Sequence, residues 1–253
     1  MYKIIAEQLR AKIESGEYRP GQQLPTELEL RDQYNASRNT VRDAIKTLVD
    51  AGLIEALSSR GTFVKQSIVP FEITVTKDPE TGFGGSEGAA YEREISDQGR
   101  VPSASAPRVE IQTTRPDISV ALALEPDAHV ISRHQERFID GIPFSLQTSF
   151  YPRGLVQRGA DRLMDPVDLA EGTVHYLSET LGLEQVGYKD TIRVRPVDET
   201  EERFFDLRAS SQRSVIEHKR IAYAPDGVPI RLTITVFHPD RAEITINEGE
   251  VPS

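Results

Sequence analysis

Four side chains within nine residues carry the clearest chemical signal in this sequence: Arg38, Asn39, Arg42 and Lys46. At helical spacing they gather on one face, whereas Val41, Ala44, Ile45 and Leu48 fall on the neighbouring stripe. One face can pack and the other is left to read. Guanidinium and amide groups form paired hydrogen bonds with guanine and adenine edges, and a DNA major groove admits a single α-helix. The pattern predicts a recognition helix from Ser37 to Gly52. Ser37 is placed to cap the first turn, because its hydroxyl can accept from an orphan amide, and Gly52 suits the left-handed position past the end.

Such a helix needs a scaffold, and the flanking residues spell one. Ile5, Leu9 and Ile13 recur every four residues until Ser15-Gly16, which predicts a first amphipathic helix. After the turn Arg19-Pro20-Gly21, Thr26 and Glu29 have the spacing of a capping box and open a short second helix. Tyr34-Asn35-Ala36 is then a connection short enough for a helix-turn-helix, with Tyr34 expected in the core. Leu53 to Leu57, the turn Ser58-Ser59-Arg60-Gly61 and Thr62-Phe63-Val64 read as strand, tight turn and strand.

Charge is divided along the chain. The net charge of −10 sits badly with DNA binding, yet residues 1–66 hold ten Lys and Arg against nine Asp and Glu, leaving 20 against 31 for the remainder. Binding by the first part would therefore rest on a few placed cations rather than a broad positive field. The chain has no cysteine, which excludes disulfides and thiolate metal sites, and no apolar run long enough for a signal peptide or membrane span. A cytoplasmic protein with no membrane partner is the expectation. The histidines at 129, 134, 175, 218 and 238 form no short chelating motif, and there is no Gly-x-Ser-x-Gly elbow. No catalytic residue, metal or cofactor is expected, although His134 and His218 occupy matching places in two hairpins and leave a shared ion open. Gly84-Gly85-Ser86-Glu87-Gly88 lacks the strand-turn-helix context of a phosphate loop.

Beyond Gln66 the patterns change. Residues 67–84, with Val69-Pro70-Phe71 and Lys77-Asp78-Pro79, read as a linker, and residues 85–253 as a second domain. Helices are predicted for Ala89 to Gln98, Asp117 to Leu124 and Thr173 to Leu181, with a further one opened by Asp198 and Glu201. Arg108 to Thr113 and Val186 to Val194 read as strands. His129 to Pro152 and Ser214 to Pro239 each contain strand, Asp-Gly turn (Asp140-Gly141, Asp226-Gly227), then an alternating strand. The sum is an α+β chain with helices flanking an antiparallel sheet.

Residues 1–66 resemble the winged-helix domain of the GntR family of bacterial transcription regulators. The resemblance is carried by Ser15-Gly16, Pro20-Gly21, Leu24-Pro25-Thr26-Glu27, Ser37-Arg38 with Thr40-Val41-Arg42, Gly52-Leu53-Ile54 and Gly61-Thr62-Phe63-Val64. It implies that Arg38 and Arg42 read bases or phosphates, that Asn39 and Thr40 meet the backbone, and that Gly61 lets the wing enter the minor groove beside Arg60. With Thr26, Ser37 and Lys46 these form the expected DNA-binding set. Leu28 stands where many relatives have an arginine, so no contact is expected there.

The paired hairpins and the final strand after Asp240-Arg241 resemble the effector-binding UTRA domain of the HutC subfamily, which has the chorismate-lyase fold. That resemblance implies a homodimer on near-palindromic operator DNA, released by a small-molecule effector. It places effector contacts at Arg137, Gln135, Gln147, Ser149 and Tyr151, at Thr173 and His175 on a helix, and at Phe237. Gln135, where an arginine is common, leaves fewer cations for a phosphate, so an organic acid or neutral metabolite held by Arg137 is expected. Two competing readings are a metabolite-processing enzyme of lyase-like fold carrying a DNA-binding domain, and a ligand-independent DNA-binding dimer.

Overall fold

The computed structural model describes residues 1–57, 61–65, 70–74, 89–169, 171–207 and 214–246. They divide into two compact units: Met1–Val69 with Glu202–Arg213, and Pro70–Glu201 with Ser214–Ser253.

The first unit opens with helices α1 (Tyr2–Glu14), α2 (Glu27–Tyr34) and α3 (Arg38–Asp50), followed by the antiparallel strands β1 (Ile54–Leu57) and β2 (Gly61–Val64). Apolar periodicity becomes packing here: Ile5, Leu9, Leu24, Leu30, Val41, Ala44, Leu48, Ile54 and Val64 form one buried cluster, with Ile13, Tyr34 and Ile45 against its edge. The local signals act as anticipated. Thr26 Oγ1 accepts from the Glu29 amide while the Glu29 carboxylate accepts from the Thr26 amide, closing the capping box. Ser37 Oγ accepts from the Thr40 amide, and Gly52 takes φ +70° just past α3. Asn35, at φ 44°, turns the chain between α2 and α3.

In the second unit, α4 (Ala89–Asp97), β4 (Pro102–Ala104), β5 (Arg108–Thr113) and α5 (Pro116–Ala121) precede the long hairpin β6 (His129–Ile139) and β7 (Ile142–Pro152). After α6 (Gly154–Gln157), a 3-10 turn at Asp161–Met164 and α7 (Thr173–Leu181) come β8 (Gly187–Pro196), α8 (Glu199–Phe204), whose residues from Glu202 on are grouped with the first unit, and the hairpin β9 (Ser214–Tyr223) and β10 (Pro229–Phe237). The sheet runs β4-β6-β7-β10-β9-β8, all antiparallel, with β5 also paired to β6. Placing β10 against β7 joins the two hairpins side by side.

Two expectations change, for the linker and the second turn, and the expected final strand gains its partner. The stretch read as linker contains β3 (Phe71–Thr74), whose Phe71 and Ile73 are buried in the second unit. Two alternating apolar residues between Pro70 and polar residues are too short a pattern to register as a strand. The last strand, β11 (Ala242–Thr245), pairs in parallel with β3 and stands outside the main sheet. The two Asp-Gly turns also differ. Asp140 and Gly141 both have positive φ, as a two-residue hairpin loop of primed type requires. In the second hairpin Gly227 alone does, the Ala224 amide donates to the Val228 carbonyl, and the Asp226 carboxylate accepts from the Val228 amide. The wider loop explains the register shift between Pro229 and Arg231.

Candidate nucleic-acid interface and ligand-binding face

The apolar stripe of α3 faces the core, so its polar side faces water. Ser37, Arg38, Asn39, Arg42 and Lys46 are all exposed, as is Thr26 at the start of α2. The two hydroxyls of the cap are tied together, Ser37 Oγ to Thr40 Oγ1 at 2.8 Å, and Thr26 Oγ1 donates to Glu29. Arg38 and Arg42 lie one turn apart with side chains 71% and 55% exposed. Both reach back to Glu27 at the start of α2: Arg42 Nε lies 3.0 Å from each carboxylate oxygen, and Arg38 Nε 3.2 Å from Oε2. Partial burial pushes the Glu27 carboxyl upward, but the two guanidiniums together outweigh it and hold the group below the usual glutamate range. Glu27 enters the sequence reading only as part of the family motif and not among the expected DNA-binding residues; its position at the first helical residue is ordinary for an acid. Gly61 begins β2 at φ +113°, and a Cβ there would fall 2.4 Å from Gln23 Nε2. Arg60 lies outside the described residues. Leu28 is exposed.

In the second unit, strand alternation and register bring distant residues to one face of the sheet. Arg133, Gln135 and Arg137 of β6 lie opposite Ser149, Gln147 and Ser145 of β7; Thr233 and Thr235 of β10 lie beside Ser149 and Gln147, and Arg220 and His218 of β9 beside those. The bonds follow the register. Arg137 Nη2 donates to Gln147 Oε1 at 2.6 Å, Gln147 Nε2 donates to Thr235 Oγ1 at 3.2 Å, and Ser149 and Thr233 share a hydroxyl bond. Arg137, Gln147 and Thr235 are 4%, 6% and 1% exposed, so this is a buried polar strip, not a surface one.

At the strip's far end Asp190 of β8 accepts from His218 Nε2 and from Arg220, whose guanidinium lies over the Tyr188 ring. Burial raises the Asp190 carboxyl, and the His218 and Arg220 bonds more than reverse that, leaving it depressed. At the other margin Arg133 Nη1 donates to the carbonyls of Leu163 and Asp165, and Nη2 to that of Val167. One buried cation thus holds the segment after the 3-10 turn against the sheet. Gln135 Nε2 donates to Ser105 O and to Asp168.

The expected effector residues divide accordingly. Arg137, Gln135, Gln147 and Ser149 share the strip. Tyr151 and Phe237 bracket it as packing residues, Tyr151 with Leu163, Tyr176 and Leu177, and Phe237 edge-on to Phe144. Thr173 is half-buried at the start of α7. His175 is the departure: it is exposed and pairs with Glu179 one turn along α7, on the helix side away from buried Tyr176 and Leu177. His134 and His218 lie on opposite faces of the sheet, His134 bonded to Thr148 and His218 to Asp190, which separates the pair that a shared ion would need. Among the described residues no cluster of metal-ligating side chains is found. Arg133, Thr233, Thr235, Arg220 and Asp190 were missed, although the i, i+2 spacing of Arg133, Gln135 and Arg137 marks a shared face. No helix among the described residues is long and apolar enough to cross a membrane.

Comparison with known proteins agrees with both units. The family described as "Bacterial regulatory proteins, gntR family" matches residues 1–64, and the UTRA domain matches residues 97–243, more than half of the chain. The chain is 23% identical over 246 residues to the mannosyl-D-glycerate transport/metabolism system repressor MngR of Escherichia coli, covering 97% of this chain and 95% of that one. It is 39% identical over 104 residues, about two-fifths of each chain, to a probable fructoselysine utilization operon transcriptional repressor of the same species. Among solved structures, a GntR-family transcriptional regulator has a TM-score of 0.64 at 21% identity, covering 99% of this chain and 98% of that one. PhnF from Mycobacterium smegmatis has a TM-score of 0.56 at 20% identity, covering 97% and 99%. The two structures share the fold. The family and these relatives are regulators of transcription, not enzymes.

Proposed function

We propose, from the premise that this chain belongs to the gntR family of bacterial regulatory proteins and carries a UTRA domain, that it is a ligand-responsive transcriptional repressor acting in the cytoplasm. Two copies, joined through the second domain, would set α3 helices in successive major grooves of a near-palindromic operator, roughly 34 Å apart. Effector binding favours a state whose helix spacing no longer fits that operator, and it shifts the equilibrium only by its differential affinity for the two states. Arg38, Asn39, Thr40, Arg42 and Lys46, with Thr26, Ser37 and the wing at Arg60-Gly61, form the DNA-facing set.

The observation that carries the effector half of this reading is the buried strip of Arg137, Gln147 and Thr235. A buried guanidinium beside an amide and hydroxyls suits a small carboxylate bearing hydroxyl groups, since a guanidinium can bind a carboxylate with paired hydrogen bonds. Support comes from a relative: MngR is named for mannosyl-D-glycerate, a hydroxylated carboxylate. Gln135 and Ser149 complete the candidate contacts, with Tyr151, Thr173 and Phe237 shaping the walls. Calorimetric titration with mannosyl-D-glycerate, glycerate and a sugar phosphate tests the class; tight binding of the phosphate with no response to the carboxylates overturns it. Arg137→Ala is expected to retain wild-type affinity for DNA in a mobility-shift assay while a carboxylate that releases the wild type no longer releases it.

A further inference from the structure

Glu27 places one carboxylate against both arginines of the α3 reading face. An acid at the first residue of a helix is favoured by the helix dipole alone, but the dipole does not require the side chain to cross to another helix. Here it crosses, and both arginines meet it through Nε. The Nε edge of each guanidinium is engaged; the terminal Nη pair is the end that can make a two-pronged contact with guanine or phosphate. The carboxylate is also held ionised by its partners. It therefore does two things at once: it fixes the direction of two otherwise mobile, exposed side chains, and it cancels one of their two charges.

We propose that Glu27 is a positioning residue that sets DNA specificity, restraining Arg38 and Arg42 for base reading while suppressing their attraction to arbitrary DNA. This rests on α3 being the DNA-reading helix. Non-specific binding follows the number of cations offered to phosphates, with the slope of log K against log salt near −0.9 per phosphate neutralised. Glu27→Gln frees one charge, so its slope on unrelated DNA should steepen by about 0.9. Its affinity for unrelated DNA should rise. Specific binding loses the restraint, and ordering two long side chains anew costs about 2- to 12-fold in affinity for each. The ratio of specific to non-specific affinity should then fall by about fourfold or more, the lost restraint on the two side chains taken together, since the freed charge attracts the phosphates of either duplex.

The full-length protein would first be used to select a duplex from a random pool. Fluorescence anisotropy would then measure that duplex and an unrelated one of equal length between 50 and 300 mM salt, for the wild type, Glu27→Gln, Glu27→Asp and Arg42→Ala. Failure to select any duplex, or wild-type binding by Arg42→Ala, removes the underlying reading of α3. If Arg42→Ala loses the selected duplex, that reading stands, and Glu27 is then judged by its own variants. Tighter binding of unrelated DNA by Glu27→Gln with a steeper salt slope supports the proposal, because a merely damaged fold would weaken both duplexes. Glu27→Asp keeps the charge on a shorter arm, and is expected to lose selected-duplex affinity without gaining unrelated-duplex affinity. An unchanged specificity ratio in Glu27→Gln, or equal loss on both duplexes, overturns it.

Discussion

The α3 face and the sheet strip both depend on arginine, and use it in opposite ways. Arg38 and Arg42 stand in solvent, four residues apart, paired to a carboxylate whose attraction water screens. Arg137 and Arg133 are buried, and their hydrogen bonds run to Gln147 and to backbone carbonyls contributed by other segments. An exposed cation contributes little until a polyanion arrives. A buried one must be satisfied within the fold from the outset, because an unmet charge in the interior is expensive. The first arrangement reserves binding energy for a partner; the second ties it to architecture and leaves only a part for a ligand.

Removing each kind of arginine should separate the two uses. Arg133→Ala removes the donor from the carbonyls of Arg162, Leu163, Asp165 and Val167 and is expected to destabilise the second unit by about 3 kcal/mol, given the strength of bonds to charged groups. Chemical denaturation followed by far-UV circular dichroism checks it; a loss under about 1 kcal/mol would mean that the carbonyls find water and that the segment is not held by this side chain. Arg42→Ala is the counterpart. Its stability should stay within about 0.5 kcal/mol of wild type, as for most surface substitutions, while operator affinity falls by about 1–3 kcal/mol per half-site if it reads a base. Equal affinity in a mobility-shift assay would remove Arg42 from the interface.

A smaller effect sharpens the same contrast through pH. Asp190 is depressed in the folded state by His218 and Arg220, so the stability it contributes is complete above the ordinary aspartate pKa, about 4. It is lost as pH falls through the depressed folded value. Asp190→Asn should therefore melt below wild type at pH 7, and the gap should narrow as pH is lowered from about 4 toward 2. A gap constant over that range would show that the carboxylate charge is not what Asp190 contributes.

Legibility followed distance along the chain. The capping box of Thr26 and Glu29, the Ser37 cap, and the stripe of Val41, Ala44 and Leu48 each lie within a dozen residues, and each was readable because helical geometry repeats every 3.6 residues. The Asp140-Gly141 turn was readable for the same reason, since it is set by two backbone angles. Asp226-Gly227 was less so: the same dipeptide supports a wider loop, and which one forms depends on how β9 and β10 pair.

What the sequence determined by itself is therefore the amphipathic helix α3, its caps, and the two hairpins at the centre of the sheet, all products of short-range sterics and periodic burial. Tertiary structure alone decided that β10 lies against β7, and with that pairing Arg137, Gln147 and Thr235 became neighbours across 98 residues of chain. It decided likewise that Glu27 reaches Arg38 and Arg42, and that β3 joins β11 rather than serving as a linker. Such contacts depend on register and packing between segments far apart in sequence, and no local period encodes them.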